Sequence, residues 1–201
     1  KVLPKPEVET TLLVADRSPE EAVRTMSLAL QSSLEVSSAA HAPKSGTHLR
    51  VEGIKASVDF RAGKLRELFS SAAIAERSPW ASIRDVKDLQ GDLMWRVSLP
   101  PTAAPAFLRA LQRSFDFDYL LDWGGGLVWI SCALAEDAHA TTIRSALPSG
   151  HATLVKAPAE LRERVEVFQP QPPALAELTK RVKSAYDPKG LLNPGRMYRG
   201  V

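Results

Sequence analysis

The stretch Leu93–Ala133 reads "LMWRVSLPPTAAPAFLRALQRSFDFDYLLDWGGGLVWISCA", and three periodicities follow one another in it. Leu93, Trp95, Val97 and Leu99 alternate with Met94, Arg96 and Ser98, which predicts a half-buried strand. "PPTAAPAFLRAL" then predicts a helix with Thr102 as its cap and its prolines early enough to be tolerated. Phe117 to Asp122 and Leu127 to Ala133 flank "WGGG", residues 123–126, and predict a hairpin. Beyond it, Ala138 to Leu147 predicts a helix and His151 to Lys156 a closing strand.

Upstream, the same order of elements occurs with almost no residue identity. Glu9 to Ala15 is rich in Thr, Leu and Val and predicts a strand. "DRSPEEAV" starts a helix, with Ser18 at the N-cap, Pro19 in the first helical position and Glu21 closing a capping box. Val23, Met26 and Leu30 share its apolar face. Leu34 to Ala40 predicts a second strand, "APKSG" at 42–46 a turn, and His48 to Glu52 a third strand. There Leu49 and Val51 point one way, and His48, Arg50 and Glu52 the other. A helix carries Val58, Ala62, Leu65 and Phe69, and residues 77–92 are expected to hold part of a fourth strand and a connection.

Strand-helix-strand-strand-helix-strand is the split βαβ arrangement. Two copies predict an α+β fold: duplicated ferredoxin-like (βαββαβ) modules over 1–91 and 92–165, forming an antiparallel sheet with helices on one face. The other face is expected to be open to water or a partner. Residues 166–201 form a third part. Pro170, Pro172 and Pro173 break the chain before a last helix, whose stripe of Leu175, Leu178, Val182 and Ala185 is expected to anchor it. Pro188 ends that helix.

Composition narrows the function. The 201 residues are 44% apolar and 24% charged, with a net charge of +3, the profile of a globular chain with a core. No block of five basic residues occurs, so nucleic acid is not an expected partner. The longest apolar run, Leu127 to Ala135, is too short to span a bilayer. Cys132 is the single cysteine and is expected to pack as a small hydrophobe, in a chain compatible with a reducing compartment. The opening "KVLPKPEVETTLLV", with prolines at positions 4 and 6, reads as a linker from a preceding domain. His41, His48, His139 and His151 lack metal-site spacing, so no metal is expected. "WGGG" has neither phosphate-loop spacing nor a helix behind it; Trp123 and Trp129 read as packing residues.

The chain closes on "YDPKGLLNPGRMYRGV", Tyr186 to Val201. "YDPKGLLNPGRM" resembles the C-terminal signature of FAD-linked oxidases of the vanillyl-alcohol oxidase type. "LMWRVSLPPTAAPAFLRAL" and "YLLDWGGGLVWI" are similar to the FAD-binding subunits of bacterial glycolate oxidases. The resemblance covers residues 90–198 best and the first module less clearly.

It implies a cap domain that covers the flavin of an FAD domain absent from this chain, with the tail returning to that domain. Asn193, Gly195 and Arg196 would then be the cofactor-binding residues, the amide offering a donor and an acceptor and the guanidinium a charge for an anionic flavin or carboxylate. The implied partners are a small 2-hydroxy acid such as glycolate, a sister flavoprotein subunit and an iron-sulfur subunit. The implied location is cytoplasmic, or peripheral on the inner face of the membrane. Arg50 and Arg96, on the polar faces of their strands, are the candidate carboxylate ligands. No catalytic residue is assigned. The catalytic 2-hydroxyacid dehydrogenases of the same superfamily carry a His-rich HxHxG-type cap motif that this chain lacks; a noncatalytic scaffold or electron-relay subunit is therefore the second reading. An unrelated ferredoxin-like binding module is the third.

Overall fold

The expected capping box forms. Ser18 Oγ accepts the Glu21 N–H at 3.2 Å, and the Glu21 carboxylate accepts the Ser18 N–H at 3.1 Å. It starts α1 (Pro19–Gln31), whose Ala22, Val23, Met26 and Ala29 are buried. The remaining helices are α2 (Lys55–Leu68), α3 (Trp80–Arg84), α4 (Ala104–Gln112), α5 (Ala140–Ser145), α6 (Ala159–Arg164) and α7 (Pro173–Tyr186). The structure, a computed structural model, describes residues 4–15 and 18–198; the first residues of the expected linker and the last of the tail lie outside them.

Among the described residues eight strands form one antiparallel sheet. They are β1 (Val8–Val14), β2 (Ser38–Ala42), β3 (Gly46–Gly53), β4 (Ala73–Ile74), β5 (Leu93–Ser98), β6 (Phe117–Asp122), β7 (Leu127–Cys132) and β8 (His151–Lys156). Their spatial order is β4-β1-β3-β2-β6-β7-β5-β8. The middle junction is narrow: His41 of β2 pairs with Leu121 of β6. The helices reinforce it, because Glu20 of α1 forms an ion pair with Arg109 of α4.

One face of the sheet carries the main core. Leu12, Leu49, Trp95 and Ile130 from the strands meet Met26, Leu65, Phe107 and Ile143 from α1, α2, α4 and α5, all within 2% of complete burial. Trp95 is buried without cost to its indole, whose N–H donates to the Ala138 carbonyl at 2.9 Å. Cys132 packs into the same core, and burial pushes its thiol up to about 11.

The other face is not open along its whole length, which corrects the expectation of helices on one face only. Ala40 and Leu120 of the sheet are buried there beneath Ile83, Val86 and Leu89, with Trp80, Met94 and Trp129 packed alongside. The physical reason lies in residues 80–89. Trp80, Ile83, Val86 and Leu89 recur every three residues, which gives this segment an apolar stripe and makes it a covering layer. The fourth strand expected within 77–92 is instead the short Ala73–Ile74.

Other boundaries also move. The second strand begins at Ser38 and not at Leu34, and the fifth helix is confined to Ala140–Ser145. Thr102 caps nothing: a 3-10 turn at Pro101–Ala103 precedes α4, and neither start has a side-chain cap. The stripe on α7 exists but does not anchor it. No residue of α7 is buried, and Leu175, Leu178 and Val182 are 47–50% exposed, because no described part of the chain covers them. No described helix is long and apolar enough to cross a membrane.

Candidate functional site

Where the cover of residues 80–89 ends, a pocket of about 500 Å³ opens over the second face of the sheet. Strand alternation fills it. Residues 94, 96 and 98 of β5 point away from the main core, as do 48, 50 and 52 of β3. Arg50 and Arg96, both singled out from the sequence, line this one pocket with Trp80, Asp122, Trp123 and Trp129.

The two arginines differ in what they already hold. Arg50 lies 3.7 Å from Glu9 and 3.2 Å from Glu52, donates to Ser37 Oγ at 3.0 Å, and stacks on Trp80 at 5.2 Å. The Trp80 ring is itself pinned by an N–H donated to Thr11 Oγ1 at 2.8 Å. Arg96 has no acidic or hydrogen-bonding partner among the described residues. Its guanidinium lies over the Trp123 ring at 5.3 Å and over the Trp129 ring at 6.0 Å. Cation–π contacts hold the fork in place while leaving its N–H donors unspent. A planar fork with free donors and aromatic walls is suited to a carboxylate, which it can bind through two parallel bonds.

Trp123 departs from the expected packing position, because it is 63% exposed while Trp129 is partly buried. The hairpin turn explains this. Trp123 takes a left-handed backbone, φ 52°, at the head of a 3-10 turn, and the two residues after it have φ 68° and 98°. Glycine is required there. A Cβ on Gly124 would stand 2.6 Å from Leu30 of α1, and one on Gly125 3.0 Å from Val23. The glycines therefore seat the turn on α1 and leave the indole outside, over Arg96. Asp122 accepts the Trp123 N–H at 2.7 Å, and burial pushes its carboxyl above the ordinary value, partly offset by that bond.

Sequence reasoning missed Trp80 and Asp122. The repeat of apolar residues at 80, 83, 86 and 89 could have identified the first; Asp122 carried no local signal. The histidines are structural in their surroundings: His41 Nδ1 meets Thr47 Oγ1 at 3.1 Å, and His48 Nε2 meets Ser45 Oγ at 2.9 Å. Burial lowers the His48 pKa, which favours the neutral ring.

Asn193, Gly195 and Arg196 come together elsewhere, on an exposed turn closed by the Arg196 N–H and the Asn193 carbonyl at 3.3 Å. None of them lines the Arg96 pocket. Asn193 and Gly195 are both left-handed, φ 48° and 68°. The turn is delivered by Asp187, whose carboxylate accepts the N–H groups of Leu191 and Leu192 at 2.9 and 2.8 Å. Lys183, 2.7 Å away, and those two bonds hold the Asp187 pKa down to about 2. Among the described residues nothing engages the Asn193 amide or the Arg196 guanidinium through a hydrogen bond or ion pair. Their donor set fits the polar edge of a flavin.

Residues 162–197 match the family of FAD linked oxidases, C-terminal domain. The chain is 32% identical over 154 residues to the glycolate oxidase subunit GlcE of Escherichia coli (strain K12), covering 75% of this chain and 38% of that protein. A solved structure of an alkyldihydroxyacetonephosphate synthase superposes with a TM-score of 0.47 at 12% identity, covering 92% of this chain and 44% of that one. The chain thus spans less than half the length of these proteins. The resemblance read from the sequence is matched on both counts: residues 162–197 match the C-terminal domain of the FAD-linked oxidases, and three quarters of the chain is similar to a glycolate oxidase subunit.

Proposed function

We propose that the chain is the substrate-side cap domain of an FAD-dependent 2-hydroxyacid oxidoreductase that oxidises glycolate to glyoxylate within a multi-subunit glycolate oxidase. The observation that carries the reading is Arg96, a guanidinium without an acidic partner among the described residues, held between two indole faces on the sheet. Its work is to bind and orient the substrate carboxylate. Arg50, whose charge is already answered by Glu9 and Glu52, shapes the other side of the pocket together with Trp80. FAD, when bound, supplies the acceptor for the substrate's α-hydrogen. Asn193, Gly195 and Arg196 would hold it from the tail, the rest of its site coming from a domain outside this chain.

The reading includes a duplication. The order β4-β1-β3-β2 in one half answers β8-β5-β7-β6 in the other; this supports two ferredoxin-like modules, 1–91 and 92–165, with 166–201 as the segment that returns to the FAD domain. The proposed partners are a sister flavoprotein and an iron-sulfur subunit, and the proposed location is the cytoplasm or the inner membrane surface. A second reading, the noncatalytic or electron-relay subunit of the same complex, is favoured by the histidines. His41 and His48 are buried, and neither lines the Arg96 pocket.

The two readings separate in one experiment on the full-length flavoprotein. Anaerobic glycolate should bleach the visible absorbance of its flavin. A flavin-loaded protein that stays oxidised would favour the relay reading, and a full-length protein without flavin would remove both.

A further inference from the structure

The Arg96 pocket is larger than a two-carbon acid needs, and its aromatic walls offer contacts that such an acid leaves unused. At about 500 Å³, flanked by Trp80, Trp123 and Trp129, it offers three indoles where glycolate has no apolar surface to place on them. Trp123 is the telling residue. A β-hairpin turn has no need of a tryptophan in the left-handed region, where a side chain other than glycine, Asn or Asp is costly. An exposed indole also forgoes the burial that normally keeps Trp inside. Both costs are met at one residue, which is 63% exposed with φ 52° and lies at the rim of the pocket over the free arginine. Backbone strain of this kind is characteristic of ligand clamps. The strain is also built in, because Asp122 holds the Trp123 N–H and Gly124 and Gly125 fit the turn against α1.

We infer that the pocket also takes, and binds more tightly than glycolate, a carboxylate carrying a flat apolar body, an aryl-substituted 2-hydroxy acid, with the carboxylate on Arg96 and the ring stacked on Trp123. Stacking on an exposed indole adds to the charge-assisted bonds at Arg96 and distinguishes this ligand class from glycolate, which makes only the latter. Trp123 is thus the specificity-determining residue. The inference rests on the reading of Arg96 as a carboxylate site.

The test is a tryptophan-fluorescence titration of the full chain with 3-phenyllactate and with glycolate, for the unmodified protein, Trp123→Ala, Trp123→Phe and Arg96→Ala. Three of the four tryptophans line the pocket and Trp95 is in the core, so quenching reports on the site. Phenyllactate should bind about tenfold tighter than glycolate, the size of one aromatic contact. Trp123→Ala should erase that preference, Trp123→Phe should keep most of it, and Arg96→Ala should weaken both ligands. Circular dichroism separates a lost site from a lost fold, and the Phe variant retains the ring if Ala does not fold. Glycolate binding as tightly as phenyllactate, or a preference unchanged in Trp123→Ala, overturns the inference and leaves the carboxylate site standing. Binding of neither acid overturns the carboxylate site, and the inference with it.

Discussion

Gly124 shows how much of the site depends on atoms that are not there. Its φ of 68° means that any side chain must strain the backbone, and the 2.6 Å from its virtual Cβ to Leu30 Cδ1 means that the flexible end of Leu30 must also turn aside. Gly124→Ala should cost about 1–3 kcal/mol, read as a lower urea midpoint with an unchanged slope. An unchanged midpoint would mean that Gly124 is not held in the left-handed region. Arg144 makes the opposite case, a side chain that ties down backbone. It lies over the Trp95 ring at 5.3 Å, and its guanidinium donates to the carbonyls of Glu166 and Phe168, the latter at 3.0 Å. Burial lowers its pKa, yet it keeps its charge at any ordinary pH. Arg144→Ala should cost roughly 2 kcal/mol and free residues 166–169 first. Hydrogen exchange would reveal this at the Leu154 amide, whose N–H donates to the Val167 carbonyl at 2.9 Å; uniform loss of protection would contradict it.

At the scale of elements, the tail turn is held by a titrating group. Asp187 caps Leu191 and Leu192 and pairs with Lys183, and its folded pKa is about 2 against an ordinary 3.8. A depressed carboxyl contributes stability that is fully present above the ordinary value and is lost as pH falls through the folded one. The amides of Leu191 and Leu192 should therefore stay protected down to about pH 4 and lose protection toward pH 2, with Asp187→Asn partly exposed at every pH. Amide shifts that titrate near pH 4 would show the cap to be unformed. The strands and the hairpin were legible because alternation marks β5, whose Leu93, Trp95 and Val97 are all completely buried, and because the glycine turn at 124–126 separates β6 from β7. The α3 segment was not legible. Its five helical residues are too few for a 3.6-residue period, and its three-residue repeat matters only once Ala40 and Leu120 are brought beneath it. The stripe on α7 was legible as a stripe, but a sequence does not say what covers one.

For the whole molecule, one continuous sheet places β3 and β5 on either side of a shared pocket, although three strands, β2, β6 and β7, lie between them. Arg50 and Arg96 could be named from alternation alone; that they share a pocket required the β2–β6 junction and the cover of residues 80–89. That Arg50 is occupied by Glu9 and Glu52 while Arg96 has no acidic partner among the described residues is a matter of side-chain geometry, which periodicity does not carry. Asn193, Gly195 and Arg196 were legible only through the family signature, since a turn of that composition otherwise needs no further purpose. In the proposed function, Arg96 holds the carboxylate of a 2-hydroxy acid in front of the flavin. The most direct measurement is the concentration dependence of anaerobic flavin reduction in the full-length protein, with Arg96→Ala beside the unmodified enzyme at equal flavin content. Losing a charge-assisted contact of about 1.5–3 kcal/mol should raise the half-saturating acid concentration roughly 10- to 100-fold, with Arg96→Lys in between. An Arg96→Ala protein that keeps its flavin and is reduced with an unchanged concentration dependence would contradict the account.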